Sequence, residues 1–128
     1  MGLYDYFKGT RTWQRTTEYH TTKKKQWIDD DGDIEVWHTS SQSFKTSTYH
    51  PNNEKIRVGV SLSGYPKFRV MHNMAGTATI VWTECSSLDE ANKLAHYLNS
   101  EEMQDLLKQN YSFKWSGWNK LEVIKLLG

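Results

Sequence analysis

Basic and apolar side chains alternate along two segments in the middle of the chain, residues 55–62 and 67–71. This alternation is typical of β-strands that turn one face toward a core and the other toward solvent. The basic side chains of the outward face could contact DNA phosphates or base edges, together with the nearby Tyr65 and His72. These basic residues are Lys55, Arg57, Lys67 and Arg69. A solvated sheet surface has the same pattern, so at this point both interpretations stay open.

Residues of the kinds used in catalysis form no recognisable constellation. The five histidines fall at no metal-ligand spacing: His20, His38, His50, His72 and His96. The single cysteine, Cys85, precedes a predicted helix start, where a thiol pKa can fall, although a semi-buried structural thiol is the commoner role. No glycine-rich phosphate loop joins a strand to a helix. We therefore expect neither an enzyme nor a bound cofactor.

The most acidic segment, Asp29-Asp-Asp-Gly-Asp33, has two interpretations. Its carboxylates resemble the start of a calcium loop, but the twelve-residue pattern with its final bidentate glutamate is missing. Apolar residues stand on both sides, at 27–28 and 34–37, as in a β-hairpin. We expect a hairpin turn here and no metal site.

Length and composition exclude several classes of protein. The chain has 128 residues, which suits one domain covering residues 1–128. A single cysteine excludes an internal disulfide and any multi-cysteine zinc site. No apolar run is long enough to span a bilayer, and residues 1–8 do not resemble a signal peptide. We therefore expect a cytoplasmic protein without a membrane partner.

The formal net charge of +1 hides an uneven distribution along the chain. Segments 1–25, 36–72 and 108–128 are basic, whereas 29–35 and 73–107 are acidic. A basic face favours a polyanionic partner, although a solvated surface also alternates in charge. The chain also has six tryptophans, and exposed indoles are typical of binding interfaces.

The first part of the chain predicts mostly extended structure. The threonine-rich residues 1–25 favour strands because β-branched side chains suit a pleated sheet. Residues 39–54 are polar and predict a loop, with a turn after Pro51. A further strand is predicted at 77–82, after the two alternating segments.

The last part of the chain predicts helices. Ser87 with Glu90 fits a capping box, and Ser100 can cap a second helix. The predicted apolar faces contain Leu88, Ala91, Leu94, Ala95 and Leu98, then Met103, Leu106 and Leu107, and in a final amphipathic run Leu121, Ile124 and Leu127. This order predicts an α+β fold, with an antiparallel or mixed sheet first and helices last.

Several short motifs follow one another in a fixed order between Lys55 and Leu127. They are the turn Ser63-Gly64-Tyr65, the step Gly76-Thr77, the helix Asp89-Glu-Ala-Asn-Lys-Leu-Ala-His-Tyr-Leu-Asn-Ser100, then Asp105-Leu-Leu-Lys108, Trp115-Ser-Gly-Trp-Asn119 and Val123-Ile-Lys-Leu-Leu127. In this order they resemble the target-recognition region of bacterial and phage adenine-N6 DNA methyltransferases, including those fused to restriction endonucleases. The resemblance covers a little over half of the chain.

One departure from that family decides what the resemblance implies. The catalytic half of the family carries an Asn/Asp-Pro-Pro-Tyr/Phe motif and a glycine-rich cofactor loop. The two prolines of this chain, Pro51 and Pro66, belong to neither motif. The resemblance therefore implies a sequence-specific DNA-binding module that neither binds S-adenosylmethionine nor methylates DNA. It could be a separated fragment, a free-standing phage protein, or one subunit beside a methyltransferase catalytic chain.

The resemblance also implies where double-stranded DNA would bind. Besides the basic strand residues, the turn near the end of the chain would face the duplex, with Lys114, Trp115, Ser116, Trp118, Asn119 and Lys120. The alternative is a small phage protein that binds and inhibits a host protein such as a restriction or defence enzyme. Acidic stretches and exposed indoles would then form the interface.

Overall fold

The computed structural model describes residues 13–16, 18–39, 41–61 and 67–110, without the side chains of 106–110. The strands are β1 (Gln14–Arg15), β2 (Ile34–Thr39), β3 (Gln42–Thr46), β4 (Arg57–Ser61), β5 (Phe68–Met71), β6 (Ala75–Gly76) and β7 (Ile80–Glu84). The helices are α1 (Lys24–Trp27), α2 (Leu88–Leu98) and α3 (Glu101–Asn110), with 3-10 turns at Thr21–Lys23 and Pro51–Glu54. Strands dominate the first part and helices the last, which confirms the predicted α+β class.

Four strands form a central antiparallel sheet in the order β1-β7-β4-β5. Strand β4 lies between β7 and β5 and is buried along its whole length. One face of this sheet packs against α2 and the start of α3. That core contains Val58, Val60, Phe68 and Val81 from the sheet and Ala91, Leu94, Ala95, Leu98 and Met103 from the helices.

A second sheet covers the opposite face. Its order is β3-β2-β6, with β2 and β3 forming an antiparallel hairpin and β6 parallel to β2. Trp37 of β2 forms the core between the sheets with Met71, Met74, Ile80 and Trp82. The central sheet therefore lies between a helical layer and a second sheet.

Helix α2 begins as its sequence predicts. The Ser87 hydroxyl accepts a hydrogen bond from the Glu90 amide at 3.1 Å, and the Glu90 carboxylate accepts one from the Ser86 amide at 2.8 Å. Ser100 caps α3 by accepting from the Met103 amide at 3.3 Å. One residue of the predicted apolar face is not in the core: Leu88, the first residue of α2, is 43% exposed.

Two predictions about the first half of the chain are wrong. Residues 29–33 do not connect two strands, because Trp27 ends α1 and packs by its ring edge against Tyr19 and Phe44. The hairpin is instead formed by β2 and β3, so the predicted loop 39–54 contains a strand and a 3-10 turn. Strand β3 was not predicted from the sequence, because Phe44 is its only large apolar residue.

The acidic turn packs directly on β3. The Asp29 amide donates to the Lys45 carbonyl at 2.9 Å, and the Asp31 amide donates to the Asp29 carboxylate at 3.0 Å. A Cβ at Gly32 would lie 2.3 Å from the Thr46 carbonyl carbon, so only glycine allows this close approach. The acidic segment therefore packs on the hairpin through the Asp29 amide and Gly32, and it does not form the turn of that hairpin.

Several predicted elements lie outside the described residues: the turn after β4 with Tyr65, the turn at 114–120, and the final run with Leu121, Ile124 and Leu127. In the part of the chain that the structure describes, no helix combines the length and hydropathy needed to cross a membrane.

Candidate nucleic-acid interface

Arg57 was expected on a solvent-exposed sheet face, and that expectation is wrong. Its side chain is fully buried, with Nη1 3.6 Å from the Glu18 carboxylate and Nη2 donating to the Met74 carbonyl at 2.8 Å. The guanidinium lies 4.9 Å from the ring centre of Trp82, a cation–π distance. Burial lowers the pKa of Arg57, and the Glu18 carboxylate opposes that shift. Arg57 therefore has a structural position and cannot reach a duplex.

The second sheet packs on this same face of β4. Arg57 and Gly59 lie on the face of β4 that carries Met71 and Trp82 on the neighbouring strands. A Cβ at Gly59 would lie 2.7 Å from Met71 Sδ and 3.3 Å from the Trp37 ring, so the glycine leaves room for both side chains. The alternation within β4 therefore separates two buried faces, one apolar and one partly polar.

A cluster of polar groups surrounds Arg57, and we call it the Arg57 cluster. The Glu18 carboxylate accepts from Asn52 Nδ2 at 2.6 Å. The Tyr19 hydroxyl donates to the Thr48 carbonyl at 2.5 Å and accepts from Asn53 Nδ2 at 3.3 Å. Burial raises the pKa of Tyr19, and the bond to Asn53 opposes that shift. Among the described residues, Arg57 Nε, Arg57 Nη1, Asn53 Oδ1 and Trp82 Nε1 are buried without a hydrogen-bond partner.

Arg69 and Lys67 are exposed at the start of β5. Arg69 Nη2 lies 3.4 Å from the Glu35 carboxylate, and the guanidinium lies 5.7 Å from the ring centre of Trp37. Lys67 makes no ion pair with any described residue. These two residues retain the position that the alternation predicted for them.

Lys67, Arg69, Trp37 and Phe68 line a cleft of ≈ 370 Å³. A second cleft of ≈ 160 Å³ shares Trp37 and Arg69 and continues along the β2–β3 hairpin. Its further lining residues are Thr39, Ser41, Gln42 and Ser43. We call the two together the Trp37 groove. It combines two cationic side chains with hydroxyl and amide groups along a largely buried indole.

The remaining predicted strand residues lie elsewhere. Lys55 pairs with Glu84 at 3.9 Å, and its ammonium lies 5.7 Å from the ring centre of Trp82. His72 is exposed beyond the end of β5, beside Asn73, whose φ is 55°. The expected row of four cations is therefore reduced to Lys67 and Arg69, because Arg57 is buried and Lys55 is not among the residues that line the Trp37 groove.

Sequence reasoning missed the polar lining of the Trp37 groove. Thr39, Ser41, Gln42 and Ser43 belong to the segment predicted as a loop, and Trp37 carried no assigned role. The signal that could have found them is the alternation in residues 42–46, where exposed and more buried side chains follow a period of two near Phe44. This alternation is too short to indicate a strand among the surrounding serines and threonines.

The described residues also bear on other chemistry. No three His, Cys, Asp or Glu side chains among them are grouped in a way that could hold a metal ion. Cys85 is a buried free thiol. Burial, with the Lys24 charge, lowers the pKa of His38, whose Nδ1 lies 2.9 Å from the Thr77 hydroxyl.

Comparison with protein-family models, curated proteins and solved structures gives no match to the chain.

Proposed function

We propose that this chain is a sequence-specific DNA-binding module that resembles a methyltransferase target-recognition domain, and its 128 residues do not contain the family's catalytic motif. The observation that carries the proposal is the Trp37 groove, where Lys67 and Arg69 lie side by side with hydroxyl and amide groups. These are the donors that contact DNA phosphates. The order of motifs that resembles a methyltransferase target-recognition region supports the same class of partner.

The groove suits one phosphodiester strand. Lys67 and Arg69 are two residues apart on an extended strand, so their backbones are about 7 Å apart and their side chains project in the same direction. Arg69 can make a bidentate contact to phosphate or to guanine, whereas Lys67 acts as a point charge. The serine and threonine hydroxyls of the hairpin supply neutral donors along the same path.

Charge balance points to modest affinity from this part of the chain. The net charge is only +1, and Glu18 and Glu84 compensate Arg57 and Lys55. Tight binding would need further contacts, from the predicted turn at 114–120 or from a methyltransferase catalytic chain.

The same charge compensation favours the alternative function, a phage protein that binds a host defence protein. The interface of exposed indoles predicted for that alternative is less well supported, because four of the tryptophans are buried: Trp13, Trp27, Trp37 and Trp82.

Duplex titration at two salt concentrations tests the proposal. We expect the association constant to fall as salt rises, with a log–log slope of roughly −0.9 per phosphate contacted. Lys67→Ala and Arg69→Ala should each weaken binding and flatten the slope by about one. The matched control is Lys93→Ala, an exposed lysine on α2, which packs against the opposite face of the central sheet.

Two results would decide against the proposal. If the wild-type chain shows no salt-dependent duplex binding at low ionic strength, alone or with a methyltransferase chain, the protein-binding alternative becomes the better function. If Lys93→Ala weakens binding as much as Arg69→Ala, the groove is not the contact surface.

A separate prediction concerns the cofactor. Calorimetry with S-adenosylmethionine is expected to show no binding.

A further inference from the structure

A carboxylate stands beside the cations of the Trp37 groove. Past Ser43 the groove meets a third cleft, lined by Asp30, Glu35, Ser43, Phe44 and Lys45. Both Glu35 oxygens lie 3.4 Å from the same nitrogen of Arg69, Nη2. A negative charge at this point works against binding of a polyanion, so its presence at the candidate DNA site needs an explanation.

The contact between Glu35 and Arg69 is loose. Charge-assisted hydrogen bonds are usually about 2.7–2.9 Å long, and this one is 3.4 Å with both side chains 44% exposed. Nε and Nη1 of Arg69 make no hydrogen bond with any described residue. Such an exposed pair can be exchanged for another anion at little cost.

Glu35 also has a second cationic neighbour. In the hairpin register Glu35 lies opposite Lys45, so both side chains project from the same face. If Arg69 leaves, Lys45 remains within one strand spacing to balance the carboxylate. The arrangement therefore permits Arg69 to change partners without leaving Glu35 isolated.

We propose that Glu35 is an internal competitor for DNA phosphate at Arg69. It holds the guanidinium in the free protein and gives it up when a phosphate enters the Trp37 groove. The exchange lowers the affinity for every duplex, because each must displace Glu35 before Arg69 contributes. This inference rests on the proposed function, since it assigns the partner that Arg69 takes in the complex.

A double-mutant cycle on duplex affinity tests the competition. We expect Glu35→Gln to bind duplex roughly 1.5- to fivefold more tightly than wild type, the range of an exposed ion pair. In the Arg69→Ala background the same change should have little effect, because there is no guanidinium left to release. Asp89→Asn is the control for charge: it removes a carboxylate from an exposed ion pair with Lys93 on α2 and should leave affinity unchanged.

The outcomes separate the two proposals. If wild type binds duplex and Glu35→Gln binds no more tightly, Glu35 does not compete and the DNA-binding proposal stands. If the gain persists in Arg69→Ala, Glu35 acts only through its general charge, which also overturns the inference. If neither wild type nor Glu35→Gln binds duplex at low salt, the proposed function itself fails, and the inference with it. Thermal melts of each variant establish that the chains compared are folded.

Discussion

Two arginines on neighbouring strands contact carboxylates at nearly equal distances and yet occupy opposite environments. Arg57 on β4 lies 3.6 Å from Glu18 with both side chains almost fully buried, whereas Arg69 on β5 lies 3.4 Å from Glu35 with both 44% exposed. Both arginines project from the same face of the central sheet. The difference is that the second sheet covers β4 and leaves the start of β5 at its margin.

The comparison shows that an ion-pair distance alone does not indicate a role. In the Arg57 cluster the charges have lost water, so each depends on the other and on the Met74 carbonyl and Asn52 amide. At Arg69 water and salt screen the pair, which leaves the guanidinium available for another anion. One arginine therefore stabilises the fold, and the other is the better candidate for binding.

The largest expected effect is on the stability of the buried pair. Arg57→Ala should lower the free energy of unfolding by about 3–5 kcal/mol, because Glu18 would keep a buried charge without its cation. Arg69→Ala should change it by less than about 1 kcal/mol. Urea unfolding of both variants, followed by tryptophan fluorescence, measures the difference. Equal losses in the two variants would show that burial does not distinguish the arginines.

Replacing both members of the buried pair sharpens the comparison. In the double variant Glu18→Leu with Arg57→Met the uncompensated charge is absent, so the loss should be well below the sum of the single losses. The same cycle at Glu35 and Arg69 should be additive within about 0.5 kcal/mol. Additivity at the buried pair would mean that the two charges do not depend on each other.

Tyr19 extends the test to the edge of the Arg57 cluster. Tyr19→Phe should cost about 0.5–1.5 kcal/mol through the lost bond to the Thr48 carbonyl. Burial raises the pKa of Tyr19 in the folded state above its ordinary value of 10.0, so its contribution is complete below that pH and is lost as pH rises further. Alkaline unfolding should therefore be shallower for Tyr19→Phe. A steeper loss of stability with rising pH in Tyr19→Phe would contradict a raised pKa of Tyr19 in the folded state.

The smallest expected effect is at the exposed pair. Glu35→Gln should change the free energy of unfolding by about 0–1 kcal/mol in low salt and by less in 1 M salt, since exposed pairs are screened. Thermal melts at the two salt concentrations measure this. A loss near that of Arg57→Ala would show that Glu35 stabilises the hairpin and is not free to exchange.

Predictions succeeded where the determining contacts are close in the chain. The start of α2 depends on Ser86, Ser87 and Glu90, which lie within four residues of one another. Strands β4 and β5 follow an alternation that is complete within a few residues. Predictions failed for β3, where Phe44 stands alone among polar residues, and for Trp27, whose helical turn depends on packing against Tyr19 and Phe44.

By itself the sequence determined the α+β class, the caps of both long helices, and the strands on which the candidate cations stand. Hydroxyl caps and periods of two or 3.6 act over a few residues, so a reader of the sequence can detect them. Only the tertiary structure decided which of those cations meet solvent. The groups around Arg57 come from Glu18, Met74 and Trp82, and no local pattern around residue 57 reports contacts supplied by other parts of the chain.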